Sequence, residues 1–188
     1  MTMLHSLERR DDEMTTSKDV NVSNEACRSG GPGTRVVLPR PNDVEIVVPS
    51  GWSATDAVQA DVVLIGPGSS SFRPNITVAR QRISAVHTLA EIVDKTAQGL
   101  AARSGVSIVA ERACTIDGVE AIDHRFRRTS DGEPTLDGRQ VVVMFPVGAG
   151  RQVRDLIVIT ALVPVDAPAQ TKDGVDELVA SVRVQPLS

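Results

Sequence analysis

The sequence predicts an α+β domain in which an antiparallel β-sheet of about six strands is flanked by helices. Apolar and polar residues alternate through much of Val106–Thr129, as in half-buried strands. Leu156–Val163 is almost continuously apolar, as expected of a central strand covered on both faces. Apolar residues recur at three- and four-residue spacing between Thr88 and Arg103, which predicts a helix lying on the sheet.

Polar residues and glycine dominate the first 40 positions, and residues 28–33 have the composition of a linker. We therefore expect residues 1–40 to be a disordered polar tail, with a short extended piece at Arg35–Pro39. Residues 41–188 are expected to form a single domain, since their number suits one hydrophobic core.

Three strands are predicted in the first half of the domain, at Val44–Val48, Asp61–Ile65 and Ile76–Ile83. Pro49, Ser50 and Gly51 end the first of them. Trp52 follows this turn, and we expect it to plug one end of the core rather than to stack on a ligand.

The predicted helix at 88–103 has end signals of its own. Thr88 and Glu91 have the spacing of a capping box, and Gly105 follows as the candidate C-terminal cap. A closing helix is predicted near the C-terminus, with Asp173 as its candidate cap and with an apolar face formed by Val175, Leu178, Val179 and Val182.

Between these helices we predict an antiparallel meander of four strands, from Val106 to Val163. Asp117-Gly118 is a strong signal for a two-residue hairpin turn. The other strands are predicted at Val119–Thr129, Arg139–Val147 and Gln152–Val163. Because a helix precedes and another follows this meander, the architecture expected is a three-layer sandwich.

Composition argues against several functions. Aromatic residues make up 2% of the chain and its net charge is −4, so we expect no nucleic-acid partner. No apolar run reaches the length of a membrane span. The histidines and the two cysteines lack the spacing of metal ligands, and we expect no metal or cofactor. Cys114 is interpreted as a small buried apolar residue.

The expected location is cytoplasmic. Residues 1–33 contain no apolar segment of the kind found in signal peptides. Cys27 follows polar and acidic residues, which is not the setting of a lipidation site.

Two short segments resemble a known family. Val44–Trp52 (VEIVVPSGW) is similar to the opening strand of the PsbP-like fold, and Phe72–Val78 (FRPNITV) resembles a strand entry of actinobacterial LpqN/LpqT-type proteins. The resemblance covers roughly residues 40 to 186 and includes the order of helices and strands. It implies an antiparallel sheet flanked by helices and a binding scaffold without a shared catalytic site. Those relatives look like exported lipoproteins, whereas this sequence lacks a signal and a lipobox.

Few residues are candidates for chemistry. Asp123 and His124 are adjacent, but neighbours on a strand point to opposite faces, so they cannot form a catalytic dyad. We interpret His124 as a satisfied core or edge histidine.

Arginines are the stronger lead for a binding site. If their two strands were neighbours, four guanidinium groups would gather and suit a protein interface. The alternative, which we favour, is ordinary charge on edge strands that discourages aggregation. The four candidate partner-binding residues are Arg80, Arg82, Arg125 and Arg127.

These observations favour a non-catalytic protein-binding or chaperone-like accessory module, with an unknown protein partner and no enzyme activity. The alternative is a small-ligand-binding protein or an unrecognised enzyme, which would use a pocket between sheet and helix. Homodimerisation through the sheet face or an edge strand stays open.

Overall fold

A computed structural model of the chain describes residues 21–23, 34–38, 42–57, 60–68, 72–147 and 152–186. These residues form eleven strands and two helices. In chain order they are β1 (Asn21–Ser23), β2 (Thr34–Leu38), β3 (Asn42–Val48), β4 (Ser53–Ala57), β5 (Ala60–Ile65), β6 (Asn75–Ser84), α1 (Leu89–Ala101), β7 (Val106–Ile116), β8 (Val119–Arg128), β9 (Leu136–Pro146), β10 (Val153–Pro164), α2 (Ala169–Ser181) and β11 (Arg183–Pro186).

The strands are arranged in two antiparallel sheets within the described residues. The main sheet has seven strands in the order β4-β5-β6-β10-β9-β8-β7, and the small sheet has the order β1-β2-β3-β11. The predicted α+β class with an antiparallel sheet is confirmed. The main sheet includes β4, which lacks a clear apolar alternation in the sequence, whereas the predicted strand β3 pairs in the small sheet.

The predicted meander is confirmed as β7 to β10, each strand paired antiparallel with the next. Asp117 and Gly118 both have positive φ, at 50° and 78°. This is the backbone of a two-residue hairpin turn whose twist matches that of the flanking strands. The turn sets the register between β7 and β8, in which Ile116 faces Val119.

One face of the main sheet is covered by α1. Val93 of the helix packs with Val142, Met144 and Leu156 of β9 and β10, in a cluster that Leu89 and Ile92 extend. These sheet residues have even numbers, because alternate residues of a strand point to the same face.

The opposite face is covered by α2 together with the small sheet. Val141, Val143, Ile157 and Ile159 are almost fully buried there, in one cluster with residues of β3 and α2. Ser181 at the end of α2 accepts a hydrogen bond from the backbone N–H of Val47 at 3.1 Å. The fold is therefore a sandwich around the main sheet, with α1 on one side and α2 beside the small sheet on the other.

The first helix confirms its predicted start. The Thr88 side chain accepts from the Glu91 N–H at 3.2 Å, and the Glu91 carboxylate accepts from the Thr88 N–H at 2.9 Å. Its end was predicted too late, since the C-cap is Ala102. Gly105 instead serves the turn into β7: its φ is +73°, and a Cβ there would collide with the Thr129 carbonyl oxygen.

The second helix also differs at its start. It begins at Ala169 after Pro168, which makes no side-chain cap hydrogen bond. The predicted cap, Asp173, lies inside the helix, because Pro168 already fixes the backbone where the helix begins. The predicted apolar face is present, since Val175, Leu178 and Val179 are buried.

Two strands, β1 and β2, fall within residues 1–40, which were predicted as a disordered tail. They pair with each other, and β2 pairs with β3. β2 coincides with the short extended piece expected at Arg35–Pro39, whereas β1 differs from the predicted tail. Pairing between strands satisfies the backbone N–H and C=O groups of these residues, whereas their polar composition alone indicates a tail. The other residues of that range lie outside the described part of the chain.

Two single residues can be compared with their predictions. Trp52 packs against the main cluster, and its ring lies next to Gly66 and near Gly174 of α2, as expected of a plug at one end of the core. Cys114 packs against the same cluster but is only partly buried. Burial, followed by the nearby Asp123 carboxylate, raises the pKa of its thiol.

In the part of the chain that the structure describes, no helix is long and apolar enough to cross a membrane.

The contact between Gly138 and Phe126 gives a first prediction. The two residues are cross-strand partners, and a Cβ on Gly138 would overlap the Phe126 ring. Overpacking of this kind costs about 1–3 kcal/mol. We expect Gly138→Ala to lower the free energy of unfolding by that amount in urea titrations.

Gly99→Ala is the matched control, because nothing lies within 4 Å of a Cβ added at this position in α1. It should raise the free energy of unfolding by about 0.5–1 kcal/mol, as expected for alanine replacing glycine inside a helix. Equal effects of the two substitutions would contradict the close contact.

The capping box gives a prediction on pH. The hydrogen bond from the Thr88 backbone lowers the pKa of Glu91 below its ordinary value of 4.5, followed by smaller effects that include the Thr88 hydroxyl and His87. A carboxyl group with a lowered pKa stabilises the fold above its unfolded pKa, and this stabilisation is lost as the pH falls through the folded pKa. Wild type should therefore be more stable than Glu91→Gln at pH 7, and the difference should shrink as the pH falls below about 4.5.

Urea titrations from pH 7 to pH 3 measure this difference. Glu120→Gln, at an exposed position in β8, is the control. A difference between wild type and Glu91→Gln that stayed constant with pH would contradict the role of the ionised carboxylate.

Candidate functional site

A cavity of about 200 Å³ lies between one end of the main sheet and α2. We call it the α2 pocket. Its apolar part includes Ala161 and Val163 of β10 and Val175 of α2, whereas its rim is charged. The full lining is Val109, Arg125, Phe126, Arg127, Asp137, Gly138, Arg139, Ala161, Val163, Lys172, Val175 and Asp176.

Strand periodicity and helix periodicity bring the charged residues together. Arg125 and Arg127 of β8 follow Ala121, and Asp137 and Arg139 of β9 precede Val141, on the face of the sheet that α2 covers. Lys172 and Asp176 are one helical turn apart on α2 and therefore share a face.

Arg125 and Arg139 are direct cross-strand partners. Like charges directly opposite each other destabilise a sheet, so this pair requires compensation. Two carboxylates supply it: Asp123 from β8, whose side chain is 8% exposed, and Asp176 from α2, whose side chain is 57% exposed.

The geometry of this group is an alternating ring of charges, which we call the ion-pair ring. Arg139 donates from Nε to both oxygens of Asp123, at 3.2 and 3.1 Å, and from Nη1 to Asp176 at 2.7 Å. Arg125 approaches the same two carboxylates, at 3.5 Å from Asp123 and 3.3 Å from Asp176. The ring links α2 to the main sheet and fixes both guanidinium groups.

A second, more exposed group completes the rim. Arg127 donates from Nε and Nη2 to one oxygen of Asp137, at 3.1 and 2.9 Å. The Lys172 ammonium lies 4.0 Å from the other oxygen and donates to the Val165 carbonyl at 2.6 Å. With the ion-pair ring included, four cations face three carboxylates, which leaves a net charge of +1.

The four predicted arginines do not gather. Their strands are separated by β10 and β9, which places them about 14 Å apart across the sheet. The registers also align Arg80 with Ala121, four residues before Arg125. The two arginine-bearing strands are therefore not neighbours, which was the condition for a cluster of four. Arg125 and Arg127 lie at the α2 pocket, whereas Arg80 and Arg82 lie towards the other end of the main sheet.

Arg82 is paired within the fold. Its Nε donates at 3.2 Å to Asp155, which is almost completely buried. Because this arginine compensates a buried carboxylate, its role in the core is structural.

The geometry predicted for Asp123 and His124 is confirmed. Asp123 points towards Arg139 on the α2 side, and His124 is fully buried with its Nε2 3.0 Å from Glu111. The expectation of a satisfied histidine holds for one ring nitrogen, since His124 Nδ1 has no hydrogen-bond partner among the described residues.

Four charged residues of the site were not singled out from the sequence as site residues, nor was the exposed Val109; the charged four are Asp137, Arg139, Lys172 and Asp176. Two signals were available. Asp137 and Arg139 have the two-residue spacing of one strand face, and Lys172 and Asp176 have the four-residue spacing of one helix face. Neither pattern identifies which strand and helix will meet. Among the described residues, no group of three or more His, Cys, Asp or Glu side chains is placed to hold a metal ion.

The ion-pair ring gives a prediction on stability. Asp123→Ala leaves Arg139, 16% exposed, without its buried partner, and this should cost about 3 kcal/mol of unfolding free energy. Asp176→Ala removes an exposed partner of the same guanidinium and should cost less than about 1 kcal/mol. Urea titrations of both variants measure the contrast, and equal losses would contradict the assignment of Asp123 as the buried anchor.

The sequence matches no protein-family model and no curated protein. Solved structures do share the architecture. LpqN of Mycobacterium tuberculosis, described as involved in cell envelope biogenesis, superposes with a TM-score of 0.66 at 14% identity, over 89% of this chain and 91% of that one.

Two further structures are similar. The PsbP protein of the cyanobacterium Synechocystis has a TM-score of 0.56 at 18% identity, over 75% of this chain and 86% of its own. A protein of unknown function from Pseudomonas aeruginosa has a TM-score of 0.53 at 14% identity, over 76% and 92%. At these identities the similarity concerns the fold alone. The chain has the PsbP-like fold.

Proposed function

We propose that this protein is a non-catalytic, protein-binding accessory module whose contact surface is the rim of the α2 pocket. One observation carries the proposal: half-exposed arginines are held in fixed positions beside exposed apolar surface. Arg127 is 50% exposed, yet both of its donating nitrogens are bound to Asp137. Arginine is enriched at protein interfaces, and fixing it in advance reduces the entropy lost on binding.

The apolar part of the surface comes from a bulge in β7. In the register with β8, Ile108 faces Phe126 and Ala110 faces Arg125, so Val109 has no partner. Its side chain is 67% exposed and lines the α2 pocket. Bulges re-aim side chains at the edges of sheets, and here an apolar side chain lies beside two arginines.

The strand order of the main sheet is relevant to the alternative that the arginines only protect an edge strand. β7 is the edge of the main sheet, and β8, which carries Arg125 and Arg127, is not. Edge protection is supplied by residues of the edge itself, so it does not account for Arg125 and Arg127. Their ion pairs with Asp123, Asp176 and Asp137 account for their fixed positions and leave both side chains about half exposed. This favours a binding role for Arg125 and Arg127 and removes Arg80 and Arg82 from the proposed surface.

The location and the kind of partner that we propose are those predicted from the sequence. We retain a cytoplasmic location, a protein rather than a nucleic acid as partner, and a chaperone-like role as one form of the accessory function. A second copy of the chain is one candidate partner, and light scattering of the full chain tests it.

A second function is favoured by the cavity itself. A pocket between sheet and helix with apolar walls and converging polar groups is what a small-ligand-binding protein or an enzyme requires. Its volume of about 200 Å³ is below the range of about 300–1,000 Å³ typical of such sites. We therefore place this alternative second.

Capture by the immobilised full chain tests the protein-binding proposal. A specific partner should be retained from an extract of the source cells, and Arg127→Glu should weaken its binding at least about tenfold, as expected for an interface arginine. Arg103→Glu is the matched control, because Arg103 is exposed and lies after α1, on the other side of the main sheet.

Binding that is unchanged by Arg127→Glu, or reduced equally by Arg103→Glu, would contradict this surface. Retention of no specific partner would count against the proposed function as a whole.

A further inference from the structure

We propose that the α2 pocket receives the carboxylate of an acidic side chain from the partner, one that is flanked by apolar residues in a peptide segment. This inference rests on the proposed function and specifies the chemistry of the partner.

Arg125 and Arg127 have unused hydrogen-bond donors. A guanidinium has five N–H groups in a fixed fork. Arg127 uses its Nε and Nη2 for one oxygen of Asp137, and no acceptor for its Nη1 is found in the described ranges. Arg125 likewise engages carboxylates through Nε and Nη2 alone. Both arginines line the pocket, so they present free N–H groups to whatever occupies it.

The charge around the α2 pocket favours an anionic occupant. The rim and the ion-pair ring together have one more cation than carboxylates. One carboxylate neutralises this excess, and Arg–carboxylate pairs bind through two parallel hydrogen bonds where geometry permits. A cationic occupant would add to the excess and would find the aspartates already paired.

The size of the α2 pocket suits one side chain. A cavity of about 200 Å³ holds the volume of roughly six or seven waters at about 30 Å³ each. This suits one side chain, whose methylene groups would lie on Ala161, Val163 and Val175. It is too small for a nucleotide or another ligand of the size typical for cofactor pockets.

Exposed apolar residues beside the α2 pocket favour a peptide over a free acid. Val109 lines the pocket but is largely exposed, and Ile108 beside it is 39% exposed. A free carboxylic acid of the right size would fill the cavity without covering them. An apolar residue next to the acidic one would cover this surface, and each buried methylene contributes about 0.8 kcal/mol.

The test uses the full chain and two fluorescein-labelled peptides, Gly-Leu-Ala-Glu-Leu-Ala-Gly and the same peptide with Gln in place of Glu. Fluorescence anisotropy should show that the Glu peptide binds at least about tenfold more tightly than the Gln peptide at low salt. The reason is that the carboxylate forms charge-assisted hydrogen bonds with the arginines. Arg127→Gln should abolish this preference, and Arg103→Gln should preserve it.

Val109→Asp provides a second variant at an exposed position, where folding is least affected. It should weaken both peptides, because the leucines common to both lose an apolar contact at Val109, and it should weaken the Glu peptide more, because the new carboxylate repels that of the peptide. Thermal unfolding of each variant confirms that the fold is retained.

Equal affinity for the two peptides would overturn the proposal, as would no binding of either peptide up to about 1 mM, the weak end of specific affinities. Tighter binding of isovalerate than of the Glu peptide would overturn it in favour of a small-ligand site. If Arg127→Glu abolishes partner capture while the peptides bind equally, the proposed function stands and the carboxylate assignment fails.

Discussion

The fold depends on one constraint: the central strands of the main sheet are apolar on both faces and must be covered twice. Val142 and Leu156 face α1, whereas Val141 and Ile157 face the opposite layer. One short helix cannot cover the second face, and the small sheet shares that task with α2. Where α2 lies over β8, the main sheet presents charged side chains instead of apolar ones. The α2 pocket forms there.

The ion-pair ring both stabilises the fold at this point and positions charged groups at the surface. Opposed arginines on β8 and β9 would repel each other, but the buried Asp123 compensates them from the sheet and Asp176 from the helix. The same contacts that join α2 to the sheet therefore orient guanidinium groups at the surface. A rim that is already ordered loses little entropy on binding, which supports the proposal that this modest cavity is a recognition site.

Features that depend only on residues close in sequence could be predicted from sequence patterns. The capping box of Thr88 and Glu91 and the hairpin at Asp117-Gly118 depend on neighbouring residues, and both were found where expected. Strand order depends on contacts distant in sequence, and it placed β10 and β9 between the arginine-bearing strands. A pocket between sheet and helix was an open alternative, but its position and lining could not be predicted for the same reason. They require Arg139 to face Asp176 from a helix 37 residues away, and no single-sequence periodicity encodes that approach.

The most direct measurement of the central claim is hydrogen–deuterium exchange of the full chain, free and bound to its captured partner. Exchange should slow at the bulge of β7 around Val109, in β8 around Arg127 and in the first turns of α2 around Lys172, because these segments line the α2 pocket and binding protects backbone amides. Protection confined to β4, the opposite edge of the main sheet, or to the exposed turn at Val86, would contradict it.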